Sequence, residues 1–473
     1  MLWTLARACV QSLTIDEADT YLAWVRPEGP AYWTPHANNH VLNSMLMRLS
    51  TTIFGTSAIT LRLPALIGTA VYIGAVYCLA RLITGRRMLQ WALFACLTLN
   101  PFVMDYLVAA RGYSVASAFL LWMVVIAARF KEGKSELWRT CALISMFAAL
   151  SICANFSFAI ADLLTALGLF LWICREHRRE YLRILAACVA PGLAILYFLA
   201  GPVILAWPKS QFTWGAASLV EMVRSLVHAC LFEPNEYLLH PQLRHYFVHF
   251  GAFLYPILAA LVISRAVMLL LEKPPETSAG PLAIICGSAW LAALICHEFL
   301  HLAYGIPLPL DRTALWVALV SLVTAGALAS LRLSSRAGRF SGRALTVILV
   351  LIGCYNIGCL RLTYFNEWKY DADMKNVYAV LASYNHTYSL TKISTNWRYV
   401  GALNCYRLIS GRETIEKIPY APSVAGEYPP GYQAYVVYYP VDQGFVKLQN
   451  LQVVYHDDFS GVAVAIRPEI LSK

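Results

Sequence analysis

The sequence predicts a polytopic α-helical membrane protein that carries a small α/β domain after its last span. Three observations predict this. Of 473 residues, 59% are hydrophobic and only 14% are charged, whereas water-soluble chains carry about a quarter charged residues. A soluble globule cannot hide that much apolar surface, so most of it faces lipid. Second, about ten apolar stretches each reach the roughly 20 residues that a helix needs to cross a bilayer. Third, beyond Tyr364 the texture changes to short β-branched and aromatic runs separated by turn residues, over roughly a hundred residues.

The spans fall near residues 62–83, 88–108, 112–130, 137–155, 156–174, 183–207, 247–271, 281–303, 311–331 and 344–362. Residues 1–13 are apolar but too short to cross and are interrupted by Arg7. Without a basic start or a small-residue cleavage site they read as the remainder of a first span, not a secretory signal. The expected total is therefore about 10–11 transmembrane helices. Every second connection is basic: Arg81, Arg86 and Arg87; Arg129, Lys131, Lys134 and Arg139; Arg175, Arg178, Arg179 and Arg183; then, more weakly, Arg265 and Lys273; and last Arg332, Arg336, Arg339 and Arg343. The positive-inside rule makes these cytoplasmic. Two domains result: a membrane domain, 1–362, with outer loops 12–61 and 208–246, and an extracytoplasmic domain, 363–473. In the latter, 372–384 and 398–409 have helical spacing, while 389–394, 432–439, 451–455 and 462–466 read as strands.

The +10 net charge does not indicate nucleic acid as a partner, because the basic residues sit in short loops between spans. Thirteen cysteines, mostly single within apolar stretches and with no CxxC pair, read as small core residues.

The first outer loop holds the densest chemistry. Asp16, Glu17 and Asp19 stand together at the membrane face. Alone they would be a solvated acidic cap on a helix N-terminus. The letters Asp16-Glu17-Ala18-Asp19 have no phosphate loop to accompany them, so a helicase reading fails. The later stretch Tyr32-Trp33-Thr34-Pro35-His36-Ala37-Asn38-Asn39-His40 is rich in hydrogen-bonding and stacking groups. Arg111 and Arg312 lie at the outer ends of helices, against the positive-inside bias. Either they snorkel, or their planar forks hold a phosphate.

His297-Glu298-Phe299-Leu300-His301 spells HExxH, whose two histidines share a helix face as zinc requires. Tyr304 and Pro307 stand where a metzincin would place Gly and His, and no third ligand is evident. Packing, a metal or acceptor site, and an intramembrane metalloprotease with Glu298 as base are the readings of this segment. Asp371-Ala372-Asp373 reads as a helix N-terminal cap.

The order of these pieces resembles the GT-C glycosyltransferases, polytopic enzymes that use polyprenyl-phosphate sugars. Protein O-mannosyltransferases and the bacterial aminoarabinose and lipopolysaccharide-type sugar transferases are among them. The resemblance rests on Asp16-Glu17, Asn38-Asn39-His40 before a helix ending Phe54-Gly55, Leu61-Arg62-Leu63-Pro64, Ala110-Arg111-Gly112-Tyr113, Pro309-Leu310-Asp311-Arg312-Thr313 and the terminal α/β domain. It covers nearly the whole chain. Two departures stand out: Asn38-Asn39 where many relatives have Pro-Pro, and Ala109 where many have an acid, with Asp105 a candidate replacement.

The resemblance implies a single inverting displacement with Asp16 and Glu17 catalytic. Asp16 would be the base, Glu17 or Asp19 would orient it or the acceptor, and Arg111 and Arg312 would hold the donor phosphate. Asp19, Trp33, Asn39, His40, Asp105 and Tyr113 are the further substrate-binding candidates, with Trp24 and Tyr32 as stacking rings. The implied partners are a polyprenyl-phosphate-linked sugar, membrane lipids, and a cell-envelope glycan, lipid or protein acceptor. No cofactor is required, and a divalent metal at His297, Glu298 and His301 stays open. The implied location is a bacterial inner or plasma membrane. A lipid carrier or flippase would use the same arginines without needing Asp16.

The charge pattern generates a topology test. In a background stripped of its native cysteines, an impermeant thiol reagent added from outside is expected to label Ser410→Cys and Glu233→Cys but not Arg179→Cys. The reverse pattern would invert the protein in the membrane.

Overall fold

The computed structural model describes residues 1–27, 29–131, 133, 136–175, 177–208, 211, 214–231, 240–272, 279–411, 414–419 and 427–472. Lys134, Glu233 and Lys273, which bear on the topology, lie outside the described residues. The chain is a multi-pass integral membrane protein: among the described residues nine helices are long and apolar enough to cross a bilayer.

Two short helices come first, α1 (Leu2–Val10) and α2 (Ile15–Thr20), followed by α3 (Val41–Phe54). The bundle then runs through α4 (Ala58–Ile83), α5 (Arg87–Thr98), α6 (Pro101–Tyr106), α7 (Tyr113–Lys131), α8 (Leu137–Ala154), α9 (Ala159–Cys174) and α10 (Tyr181–Ile195). It continues with α11 (Gly201–Ile204), α12 (Leu219–Cys230), α13 (Pro241–Leu271), α14 (Ala279–Tyr304), α15 (Leu315–Ser330) and α16 (Arg336–Gly358). The apolar window of α15 is 83% buried and that of α13 only 11%. The first is therefore a central helix of the bundle, and the second presents its side chains to lipid. At one end, Arg86 donates to the Ala329 carbonyl, while Arg265 donates to the carbonyls of Leu328, Leu331 and Gly338. Arg86, from a basic connection, and Arg265, which lies inside α13, thus close over the same end of α15.

The stretch expected as one span at 88–108 is split. The Asn100 side chain accepts from the N–H groups of Phe102 and Val103, and Pro101 opens a new helix. A capping side chain followed by proline at the first helical position starts α6 afresh instead of continuing α5.

The C-terminal domain comprises α17 (Met374–Tyr388), β1 (Ile393–Thr395), α18 (Trp397–Ile409), β2 (Ala434–Tyr438), α19 (Tyr439–Leu448), β3 (Gln452–Asp457), β4 (Val462–Ile466) and α20 (Pro468–Leu471). The sheet order is β1-β2-β4-β3, with β1 parallel to β2 and the other pairs antiparallel. The strand expected from 389 begins only at Ile393, because Ser389 ends α17 in the left-handed conformation at φ 52°. The run expected through Tyr439 stops at Tyr438, because Pro440 at the second helical position favours the turn into α19.

This domain shares its core with residues 13–61 and the turn before α7. Leu13, Ala18, Tyr21, Met47, Leu61 and Ala110 pack in one cluster with Leu381, Leu403, Val436 and Val464. At Gly401 on α18 a Cβ would come within 2.5 Å of Asp19 Oδ1, so any larger residue would push the Asp19 side chain aside where α18 packs on α2.

Asp19's neighbour Glu17 anchors the same helix from the other side. Arg62 on α4 donates Nε to Glu17 Oε1 at 2.8 Å and Nη2 to Oε2 at 2.7 Å. It also donates to the carbonyls of Ala8, Gln11 and Ser12. Both side chains are fully buried. Removing one partner of such a pair costs about 3–5 kcal/mol, because the other charge is left bare in the interior. Arg62→Met and Glu17→Leu are each expected to lower the unfolding midpoint strongly in nanodiscs. The double variant should lose less than either single one; additive losses would mean the pair is not coupled.

Candidate active site

Asp16 sits at the second position of α2. Thr14 caps this helix, accepting from Glu17 N–H while the Glu17 carboxylate accepts from Thr14 N–H. A second cap comes from far along the chain: Asp371 Oδ2 accepts from Ile15 N–H at 2.7 Å. The Asp371–Asp373 motif therefore does not cap α17 as expected. Asp371 crosses to α2, and Asp373, at the α17 cap position, accepts from Asn376 and from the Tyr455 hydroxyl. With its backbone held at both sides, Asp16 projects a carboxylate that is 13% exposed into a cavity of about 720 Å3. The cavity lies between the bundle and the C-terminal domain, with Asp105, Tyr106, Trp214, Arg312, Glu367, Tyr370 and Arg398 among its lining residues.

Arg312 is the cation nearest the carboxylate. Its Nη2 lies 3.3 Å from Asp16 Oδ2, its Nη1 pairs with Glu367, and its guanidinium packs on the rings of Trp214 and Trp368 at 5.8 and 5.7 Å. Asp311 supports it from a left-handed backbone, φ 46°, exchanging hydrogen bonds with Ser225 on α12. Glu367 also accepts from the Tyr106 hydroxyl. No local pattern marked Glu367, which comes after the last span without a motif around it.

Arg111 lies behind Asp16. Its Nε is 3.8 Å from Asp16 Oδ2, and its Nη groups donate to Thr20 Oγ1, the Asp16 carbonyl and Asn38. The side chain is buried and is not among the cavity's lining residues. Gly112 makes this placement possible. It has φ 77°, and a Cβ there would stand 2.0 Å from the Ala154 carbonyl oxygen.

The other expected residues separate into two groups. Glu17 has both oxygens occupied by Arg62, Thr14 N–H and Ala110 N–H. Burial pushes its carboxyl up, but Arg62 and those N–H groups outweigh this and hold it below its ordinary value. Asp105 is clamped between Arg7 and Arg361 and accepts from Asn366 N–H. Only its edge reaches the cavity. Asp19 faces α18 at Gly401.

Asn39 stitches its own turn, donating to the carbonyls of Tyr32 and Thr34 and accepting from Ser44. His40 is buried between Tyr113, Phe156 and Asn155. Burial, then the charges of Arg111 and Arg312, push its pKa well below the ordinary value and keep it neutral. Tyr113 packs on Tyr106, Trp24 on His36, and Tyr32 on Trp33. Trp33 donates to the Leu199 carbonyl.

The HExxH residues sit on α14. His297 stacks on Trp316 at 5.7 Å and His301 Nδ1 lies 3.0 Å from the Ile306 carbonyl. Among the described residues no group of three or more His, Cys, Asp or Glu side chains comes together as a metal cage.

No protein-family model matches the chain, and no curated protein matches it by sequence. Solved structures do. One is ArnT from Cupriavidus metallidurans in the apo state, at 13% identity and a TM-score of 0.46, covering 98% of this chain and 95% of that one. The same protein bound to undecaprenyl phosphate matches at 12% identity and 0.44, with the same coverage. The arabinosyltransferase EmbB from Mycobacterium smegmatis matches at 15% identity and 0.38, covering 79% of this chain and 42% of that one.

Asp371 offers a pH test of this architecture. It is buried, its Oδ1 has no hydrogen-bond partner, and burial, then the nearby Asp16, Glu17 and Asp19 carboxylates, push its pKa well above the ordinary value. A pKa raised on folding stabilises the folded state fully below the unfolded carboxyl range, and that contribution falls as pH rises through it. Asp371→Asn keeps an oxygen for Ile15 N–H and stays neutral. It is expected to unfold at a higher temperature than the parent near neutral pH, with the gap closing toward about pH 4. Asp371→Ala, which removes the cap, should lose about 0.5–2 kcal/mol toward pH 4, where the parent no longer carries the cost of its raised pKa, and less near neutral pH.

Proposed function

We propose that the chain is a membrane glycosyltransferase. It moves a sugar from a polyprenyl-phosphate donor to an acceptor bound in the cavity between bundle and C-terminal domain, on the extracytoplasmic face. Asp16 is the general base. The donor class comes from the ordered GT-C-like motifs, and the residue roles come from geometry.

One observation carries the base assignment. Four carboxylates gather around α2, and three of them are engaged: Glu17 by Arg62, Asp105 by Arg7 and Arg361, and Asp371 by Ile15 N–H. Asp16, in the cavity, is the most exposed of these four side chains, at 13%; its Oδ2 is buried against Arg312 and Arg111, which leaves Oδ1 as the oxygen for the cavity. A base needs such an open lone pair within reach of the hydroxyl it deprotonates.

The acceptor hydroxyl gives its proton to Asp16 as its oxygen attacks the anomeric carbon from the face opposite the phosphate. The bond to the lipid phosphate breaks in the same displacement, inverting that carbon. Arg312 faces the charge that grows on the departing phosphate and stabilises it. Glu367 and the tryptophan rings hold the Arg312 fork in one orientation. Arg111 and Glu17 act as positioning residues: Arg111 fixes the Asp16 carboxylate and Glu17 fixes its helix.

Asp16→Asn keeps the shape and removes the basic lone pair. Turnover of a lipid-linked sugar is expected to fall about 10²–10⁴-fold while polyprenyl-phosphate binding changes little. Turnover and binding are measured on one folded preparation. Near-normal turnover in this variant, with Glu367→Gln inactive, would move the base to Glu367. Binding without turnover in the parent would make the protein a carrier.

A further inference from the structure

The cavity has a second cationic wall that the displacement does not use. Arg398 sits at the second residue of α18, in the C-terminal domain, and lines the same cavity as Asp16. Its guanidinium lies over three rings, Trp397 and Tyr438 at 5.0 Å and Tyr370 at 5.9 Å. Among the described residues its side chain makes one polar contact, a long one, 3.5 Å to Asn396 Oδ1. Among the described residues no carboxylate pairs with it.

This sets it apart from the other arginines of the site. Arg312 is paired with Asp16 and Glu367, and Arg361 with Asp105. Each carboxylate lining the cavity already has a partner on the bundle side, since Asp311 holds Ser225. Rings can carry a guanidinium's face, but the N–H edge of the fork still seeks an anion. Beside it, Trp397 also lines the cavity and is 39% exposed, with a flat apolar ring suited to the C–H face of a sugar.

We propose that the α18 wall is the acceptor subsite and that it takes an anionic glycan, a sugar bearing a phosphoryl or carboxylate group. The anion rests on the Arg398 fork and the ring on tryptophan, which leaves a hydroxyl toward Asp16. The acceptor role rests on the transferase reading; the binding chemistry does not. Two cationic centres, one on each of the two domains, divide the work. Arg312, on the bundle, faces the donor phosphate, and Arg398, on the soluble domain, selects the acceptor.

The test uses the intact chain in nanodiscs and saturation-transfer NMR titrations with glucose 6-phosphate, glucose and inorganic phosphate. Glucose 6-phosphate is expected to bind about 10- to 100-fold tighter than glucose, the scale of hydrogen bonds to a charged group. It should also bind tighter than inorganic phosphate. Arg398→Gln should erase the advantage over glucose, Arg398→Lys should restore part of it, and Trp397→Ala should weaken the sugar phosphate but not inorganic phosphate. Polyprenyl-phosphate affinity should be unchanged in Arg398→Gln.

Octyl glucoside 6-phosphate outcompeting the soluble sugar phosphate would mark a membrane-borne acceptor, and the reverse a free glycan. The proposal falls if the parent shows no preference for the sugar phosphate or if Arg398→Gln keeps it. It also falls if that variant loses polyprenyl-phosphate affinity by the same factor, since Arg398 would then serve the donor. Turnover of a lipid-linked sugar on the same preparation tests the transferase reading separately. Preference without turnover would leave an anionic-sugar site and remove the transferase.

Discussion

Everything at the cavity depends on the orientation of a helix only six residues long, Ile15–Thr20. A helix of that length has almost no stability of its own, since its first turn fixes several residues for a single hydrogen bond. Its direction is imposed by neighbours instead. The buried Arg62–Glu17 pair holds it from the bundle, with both guanidinium edges and both carboxylate oxygens engaged. Asp371 holds its N-terminus from the C-terminal domain. Between these two anchors the Asp16 side chain has little choice of direction. The charge that anchors the helix and the charge that faces the cavity are adjacent in sequence, yet their environments separate them completely.

The same division recurs across the site. Buried ionic groups paired with one another act as framework: Arg7–Asp105–Arg361 ties the first helix to the segment after the last span, and Arg111 ties residues 16–38 to the start of α7. Asp16, Arg312 and Arg398 line the cavity instead. A buried ion pair adds little net stability, because desolvation offsets the attraction, but it punishes misplacement severely. In this protein such pairs set where a few ångströms of backbone lie, and that placement is what the cavity chemistry requires.

Much of this plan could be read in the sequence, and the boundary of legibility is physical. Apolar length and loop charge are local quantities, so the helical membrane class, most spans and the terminal α/β domain were visible. The break at Asn100-Pro101 was missed because its apolar residues continue on both sides and hide two strong local signals. Asp16 and Arg312 could be named as a set only from motif order. Their proximity, 3.3 Å across nearly 300 residues, depends on tertiary packing that no window contains. Glu367, Trp214 and Arg398 carry no pattern at all. Glu17, Asp105 and Arg111 look alike in sequence to any reader of charges, and only their partners separate framework from site.

The order of strands has a consequence for how this protein comes into being. The last strand in chain order among the described residues, β4, is interior to the sheet, paired with β2 on one side and β3 on the other. Val462, Val464 and Ile466 on that strand belong to the same core as Leu13 and Ala18. During synthesis the first carboxylates are in place near the membrane long before the residues that orient them exist. The spans can insert, and α2 can meet Arg62, but the domain that caps it cannot close until residue 466 has been made. A chain that has not yet reached residue 466 therefore holds an unformed cavity.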